Sequence, residues 1–293
     1  MNLKAWINRV VLVIFGLLIY QVVQAAPIAT VVVPPINQPP TNQYFPGKFI
    51  WRNLFTNDVE SAVNFYRGMF SWESRRFGGG RNAYMLMTNT GLSVAGIILL
   101  DNKDNSENQW VSFISVDDVK QTSNYVTATG GKVLVSPRVF EQHGQLAIFT
   151  DPEGAAFGVM NSSSGDPREV MPRVGQFVWA DLLAMQPVTQ TRFYQGIANY
   201  TVDPNPSAGT KIDFFLKTNN IPRAGVLEIP DDDILPNWLP YVRVNNIVDS
   251  VVKTTQLGGT VILEPSVNVY NGKLAVILDP TGAAIGMVEI SQQ

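Results

Sequence analysis

The chain of 293 residues carries a single histidine, His143, and no cysteine. Thiolate nucleophiles, thiolate metal sites and disulfides are therefore excluded, and one imidazole cannot by itself build a histidine-rich cation site. His143 stands beside Gly144 in a predicted turn, where a lone imidazole reads as a solvated surface residue; its functional alternative is a pH-sensitive or catalytic base beside a pocket. Asp231-Asp232-Asp233 is the densest acidic cluster and reads as a solvated loop, with calcium as the alternative, because carboxylates and backbone carbonyls together suit that ion. No Ser-His-Asp set and no paired acids at catalytic spacing present themselves. The informative polar pair is Asp181 and Arg243, which can form an ion pair that orients an anionic or amide ligand, or one that only satisfies two buried charges.

These residues are placed by a repeat. At an offset of 128 residues, Trp51 is matched by Trp179, Phe65-Tyr66 by Phe193-Tyr194, Trp110 by Trp238, Gly130-Gly131 by Gly258-Gly259 and Asp151-Pro152 by Asp279-Pro280. Two copies of one domain follow, over residues 47–161 and 176–291 with a Ser-, Gly-, Asp- and Pro-containing linker at 162–175. Within the first copy a strand is predicted over 49–55, and Asp58 caps a helix whose Val59, Ala62, Val63, Tyr66 and Met69 share a face. Strands over 83–87 and 93–100 follow. A second module has a strand over 110–116, a helix from Asp118 stopped by Gly130-Gly131, and strands over 132–135, 146–150 and 155–160. Asp151-Pro152-Glu153-Gly154 has the residues of a type I turn joining the last two. Each module is thus βαβββ. The second copy repeats the plan, with helices from Pro187 and Ile247.

Composition bounds the function. With 45% hydrophobic and 15% charged residues and a net charge of -3, the chain can bury two cores and shows no basic cluster for phosphate backbones, so nucleic acid is set aside. Residues 1–25 read as a secretory signal peptide: Lys4 and Arg9, an apolar run from Val10 to Val23, then small residues with cleavage expected after Ala25. The apolar run is short for a bilayer span. A periplasmic or secreted protein with no stable membrane span after cleavage is expected; an uncleaved anchor is the alternative. Residues 26–46, with Pro34-Pro35, Pro39-Pro40 and Pro46, read as an extended tether outside both domains.

Four βαβββ modules, Phe-Tyr closing the first helix of each domain, Gly-Gly ending the later one and Asp-Pro-x-Gly before the last strand resemble the vicinal oxygen chelate superfamily, which includes glyoxalase I, bleomycin-resistance proteins and extradiol dioxygenases. The segment Asn-Phe-Tyr-Arg-Gly-Met-Phe-Ser-Trp at 64–72 is the strongest part of the likeness, and the first-strand tryptophans resemble two-domain glyoxalase-like proteins. The resemblance implies an α+β fold with cup-shaped mixed sheets. It also implies a divalent metal held by His, Gln or Glu from each module's first strand and Glu from the final one. Here those positions fall on Trp51, Val111, Trp179 and Leu239, on Gly158 and Gly286, and near Ala95-Gly96 and Ala224-Gly225. None offers a side-chain donor, so no metal and no other cofactor is expected.

Alternation along the strands groups Trp51 with Phe49, Asn53 and Phe55, and Trp179 with Phe177, Asp181 and Leu183. Val111, Phe113 and Ser115 join the first cup, and Leu239, Tyr241 and Arg243 the second. Such apolar, aromatic walls with a few polar groups suit a small, partly apolar or aromatic ligand, with Trp51, Asn53, Phe113, Trp179, Asp181, Tyr241 and Arg243 as binding residues. The alternative is that the same side chains merely fill the concavities. Two other functions stay open: a glyoxalase- or dioxygenase-like lyase or isomerase with a relocated or absent metal, and an interaction module. A monomer is plausible, because both domains lie in one chain.

Overall fold

The computed structural model describes residues 33–80, 83–100, 107–204, 213–229 and 234–290. In chain order the first half contains β1 (Phe49–Thr56), α1 (Val59–Phe70), β2 (Glu73–Phe77), β3 (Tyr84–Asn89), β4 (Leu92–Leu99), β5 (Gln109–Ser115), α2 (Val119–Ala128), β6 (Lys132–Phe140), β7 (Gly144–Thr150) and β8 (Ala156–Ser162). The second contains β9 (Phe177–Ala184), α3 (Pro187–Ala198), β10 (Thr201–Pro204), β11 (Phe214–Thr218), β12 (Ile221–Glu228), β13 (Asn237–Val244), α4 (Ile247–Gln256), β14 (Thr260–Leu263), β15 (Leu274–Leu278) and β16 (Ala284–Glu289). Asp58 caps α1 by accepting the Ser61 N–H at 3.0 Å, and Asp118 does the same for α2 from Lys120 and Gln121, which satisfies donors a helix start leaves free.

The modules pair within each half. One eight-stranded sheet runs β2-β3-β4-β1-β5-β8-β7-β6 and the other β10-β11-β12-β9-β13-β16-β15-β14. β1 runs parallel to β4 and antiparallel to β5, so the two modules of a half meet along their first strands. Register shifts between Phe49 and Trp51 and, opposite Tyr241 and Val242, between Phe177 and Trp179 mark bulges at Ile50 and Val178. A bulge adds one residue and breaks the alternation. As a result Phe49 and Phe177 leave the cups predicted for them and enter the cores between the halves.

Those cores are shared. Phe65, Tyr66 and Met69 of α1 pack with Ala275, Ile277 and Met287 of the second half, and Phe193, Tyr194 and Ile197 of α3 with Ala147, Phe149 and Phe157 of the first. The repeated motif residues clasp this seam. Tyr66 Oη donates to Asp279 Oδ2 (2.9 Å) and accepts from Trp110 Nε1 (2.9 Å), while Tyr194 Oη donates to Asp151 Oδ2 (3.0 Å) and accepts from Trp238 Nε1 (2.8 Å). Asp151 Oδ1 also accepts the N–H groups of Glu153, Gly154 and Ala155, each at 2.9 Å, which holds the predicted turn. The superfamily-like Phe-Tyr and Asp-Pro-x-Gly signatures are thus, in this chain, two halves of one reciprocal interdomain contact.

Residues 33–46 differ from the expected free tether. Val33 and Ile36 are buried among side chains of the first sheet. The signal segment lies outside the described residues, as does Asp231-Asp232-Asp233. Among the described residues, no helix is long and apolar enough to cross a membrane.

Candidate functional site

The concave faces of the two sheets form two cups with one polar frame. In the first, Trp51 lies opposite Phe113 across β1 and β5. Its Nε1 donates to Asn53 Oδ1 at 3.0 Å, and Tyr84 Oη donates to the same oxygen at 3.2 Å. This cup is filled by the chain itself: Val33 and Ile36 join Trp51, Tyr84, Val111 and Phe113 in one buried cluster. The strap that carries them is fastened by Asn37 Nδ2 to Gly165 O (2.6 Å), Thr41 Oγ1 to Asp166 O (2.7 Å) and Phe45 N to Asp166 Oδ2 (2.6 Å).

His143 belongs to this closure and is not the surface residue expected from its turn. It is 2% exposed. Its Nδ1 lies 2.7 Å from Pro34 O, a carbonyl that can only accept, so Nδ1 carries the proton. The imidazole meets Trp51 edge-on at 5.3 Å. Burial pushes its pKa down to about 4, so the ring is neutral at ordinary pH.

In the second cup, Trp179 Nε1 donates to Asp181 Oδ1 at 2.7 Å. Tyr241 and the Gly225 backbone N–H also interact with this carboxylate, and burial pushes its pKa up to about 6. The apolar cluster here consists of side chains of the sheet itself together with Ile290; Leu239, Tyr241, Val276 and Val288 are buried, while Trp179 is only partly covered. Arg243 does not pair with Asp181 as the sequence allowed. Its Nη1 donates to Pro172 O (2.9 Å) and its Nη2 to Ile290 O (3.0 Å), tying the linker and the end of the last module to the rim. Ser115, at the matching position of the first cup, donates to Asp166 Oδ2 at 2.6 Å.

The side chains at the positions where the resemblance implies metal ligands do not fit a divalent cation. Gly158 pairs in register with Phe113 and Gly286 with Tyr241, and those rings lie over the glycines: a Cβ on Gly158 would sit 2.3 Å from Phe113 Cδ1, and one on Gly286 2.2 Å from Tyr241 Cδ1. On Gly96 a Cβ would meet Tyr84 Oη at 2.1 Å. Ala95 and Ala224 face the interdomain cores. His143 and Asp181 stand in different cups, and among the described residues no group of three His, Cys, Asp or Glu side chains converges. Cations of this kind typically need about three or more such donors.

Comparison with known proteins agrees with the architecture. Residues 48–159 match the family described as Glyoxalase/Bleomycin resistance protein/Dioxygenase superfamily. CFP32 of Mycobacterium tuberculosis, which bears a provisional glyoxylase name, is 27% identical over 259 residues, covering 87% of this chain and 99% of that protein. The anthracycline biosynthesis protein DnrV of Streptomyces peucetius is 25% identical over 265 residues, covering 85% and 96%. Among solved structures, the Mn(II)-bound glyoxalase from Novosphingobium aromaticivorans superposes with a TM-score of 0.57 at 16% identity, over 83% of this chain and 82% of that one. The 2,3-dioxygenase LapB from Pseudomonas sp. KL28 gives a TM-score of 0.57 at 12% identity, over 84% and 94%. At such identities the structural likeness concerns the fold. Residues 48–159 thus match the glyoxalase/bleomycin resistance protein/dioxygenase superfamily, and the tandem two-sheet fold of the chain is similar to that of glyoxalase and extradiol dioxygenase structures.

Proposed function

We propose that this protein binds a small, partly apolar or aromatic molecule in its second cup without a divalent metal, and that it does so outside the cytoplasm as a monomer. One observation carries the assignment: the first cup is occupied by Val33 and Ile36 of the same chain, whereas the second keeps the same indole-and-acceptor frame and, among the described residues, is lined by its own strands and Ile290. Apolar walls around a few orienting polar groups are what small-molecule sites combine. Trp179 and Tyr241 supply the walls, and Asp181 the acceptor.

A second reading, as a lyase or isomerase, is favoured by Asp181 alone. A buried carboxylate with a pKa of about 6 is suited to take or return a proton near neutral pH. The provisional glyoxylase name of CFP32 goes with that reading, and binding in the second cup is common to both.

Calorimetric titration with a panel of small aromatic molecules tests the site. Trp179→Ala is expected to weaken binding by about tenfold or more, the loss of roughly 1.4 kcal/mol of aromatic contact, while Trp51→Phe leaves affinity unchanged. Equal loss in both variants, or in neither, would place the ligand elsewhere. For export, sequencing of the mature N-terminus is expected to begin at Ala26; an intact Met1 on membrane-bound material would favour the anchor.

A further inference from the structure

The cups differ in one respect that bears on what the second one accepts. Trp51 and Trp179 hold the same repeat position, and each donates its indole N–H to the residue two places on. In the first cup that residue is a neutral amide, Asn53, and in the second a carboxylate, Asp181. Across the sheet, Phe113 of the first cup is replaced by Tyr241, whose phenol interacts with Asp181. The first cup therefore has an uncharged polar centre, and the second an ionisable one.

Register shows which residues surround that carboxylate on the sheet. Phe215, Gly225, Asp181 and Leu239 lie in one row across β11, β12, β9 and β13, so their side chains share the concave face. Gly225 contributes no side chain between Phe215 and Asp181. In the first cup the corresponding place over Gly96 is taken by the Tyr84 hydroxyl. Counting along the paired strands, Tyr84 corresponds to Asp213, which is exposed and accepts the Glu228 N–H at 2.7 Å. No ring comes over Gly225 from that position.

Asp181 is 4% exposed, and its polar neighbours among the described residues are Trp179, Tyr241 and the Gly225 N–H, all neutral. A buried carboxylate satisfied only by neutral donors retains an uncompensated charge, which a cation would neutralise. Its surroundings are π-systems: the Trp179 ring meets Phe215 edge-on with centroids 6.2 Å apart, and Tyr241 pairs in register with Trp179. Aromatic faces around an anion are the environment an organic ammonium ion prefers over a neutral or anionic group of the same shape.

We propose that the second cup selects a small protonated amine, its ammonium group meeting Asp181 and its apolar body lying against Trp179, Tyr241 and Phe215. This deepens the assignment of the second cup as the working site and rests on it. The test is calorimetric titration of the full chain, near neutral pH, with phenethylamine, 2-phenylethanol and 3-phenylpropionate, three probes of similar size and different charge. Phenethylamine is expected to bind at least about tenfold more tightly than either of the others, the scale of one charge-assisted contact. Asp181→Asn, which gives the second cup the residue the first already carries, should fold and bring the three affinities within about twofold. Tyr241→Phe, likewise copied from Phe113, should keep the amine first.

Equal or tighter binding of the alcohol or the acid, or an amine preference that survives Asp181→Asn, would overturn the proposal. The cup would still stand as the binding site if Trp179→Ala abolished that binding. Failure of all three probes to bind would overturn both.

Discussion

Gly286→Glu, which puts on β16 the carboxylate implied for metal-holding members of the superfamily, is expected to unfold the second domain without creating a metal site. The new Cβ would lie 2.2 Å from Cδ1 and 2.4 Å from Cε1 of Tyr241, well inside van der Waals contact. Tyr241 cannot yield cheaply: it is buried, and its phenol interacts with Asp181. Overpacking and an added buried charge then act together, for an expected loss of more than about 4 kcal/mol. Gly158→Glu should behave the same way against Phe113, whose Cδ1 would be 2.3 Å from the Cβ. Gly286→Ala separates the steric part, and should retain most of the loss. Circular dichroism melts give the stabilities, and elemental analysis of purified protein gives bound metal. A Gly286→Glu protein that melts like wild type and takes up one equivalent of manganese or nickel would show that the aromatic ring is a movable cover, and the metal-free assignment would fail.

That glycine also shows what could be read from the sequence and what could not. The repeat made Gly158 and Gly286 visible as a matched pair without donors, because both copies carry the same substitution. Tyr66, Trp110 and Asp279 were visible as conserved between the copies, but their joint role was not. The Tyr66–Asp279 bond spans 213 residues of sequence, and no local pattern signals it. The direction of Phe49 is not legible from alternation, because a bulge at Ile50 resets it. β2 went unseen because Glu73 to Arg76 are all exposed, so hydrophobic period carries no signal there.

The strap misled for the opposite reason. Its Pro-, Asn- and Gln-rich composition hides two aliphatic anchors, Val33 and Ile36, whose partners lie on strands far along the chain. The burial of His143 is hidden with it, since the Pro34 carbonyl that meets its ring belongs to the strap. Tyr84 sits in a predicted strand, yet its hydrogen bond to Asn53 depends on β3, β4 and β1 lying side by side. Polar centres of both cups are therefore recoverable from alternation around Trp51 and Trp179, while the closing of the first cup by the strap is not.

Asp181→Asn should make the ligand-free protein more stable near pH 8. Burial raises the Asp181 pKa from its ordinary 3.8 to about 6, so the folded state holds this proton more tightly than the unfolded chain. Stability from that source is fully present below about pH 4 and is lost as pH rises through about 6. Above that range the ionised carboxylate costs up to about 3 kcal/mol, from roughly two pKa units at about 1.4 kcal/mol each. The amide removes this cost and can keep the indole bond, as Asn53 does at 3.0 Å from Trp51. For a chain of this size the melting temperature should rise by up to about 5 °C near pH 8, and the gap should close toward pH 4, where Asp181 is neutral. A bound cation should reverse the order at high pH, because ligand stabilises only the protein that holds it. Melts of both proteins from about pH 4 to 8, with and without phenethylamine, measure each part. A variant less stable than wild type at every pH would mean that the carboxylate supports the fold outright; its burial could then no longer be read as a cost sustained for binding.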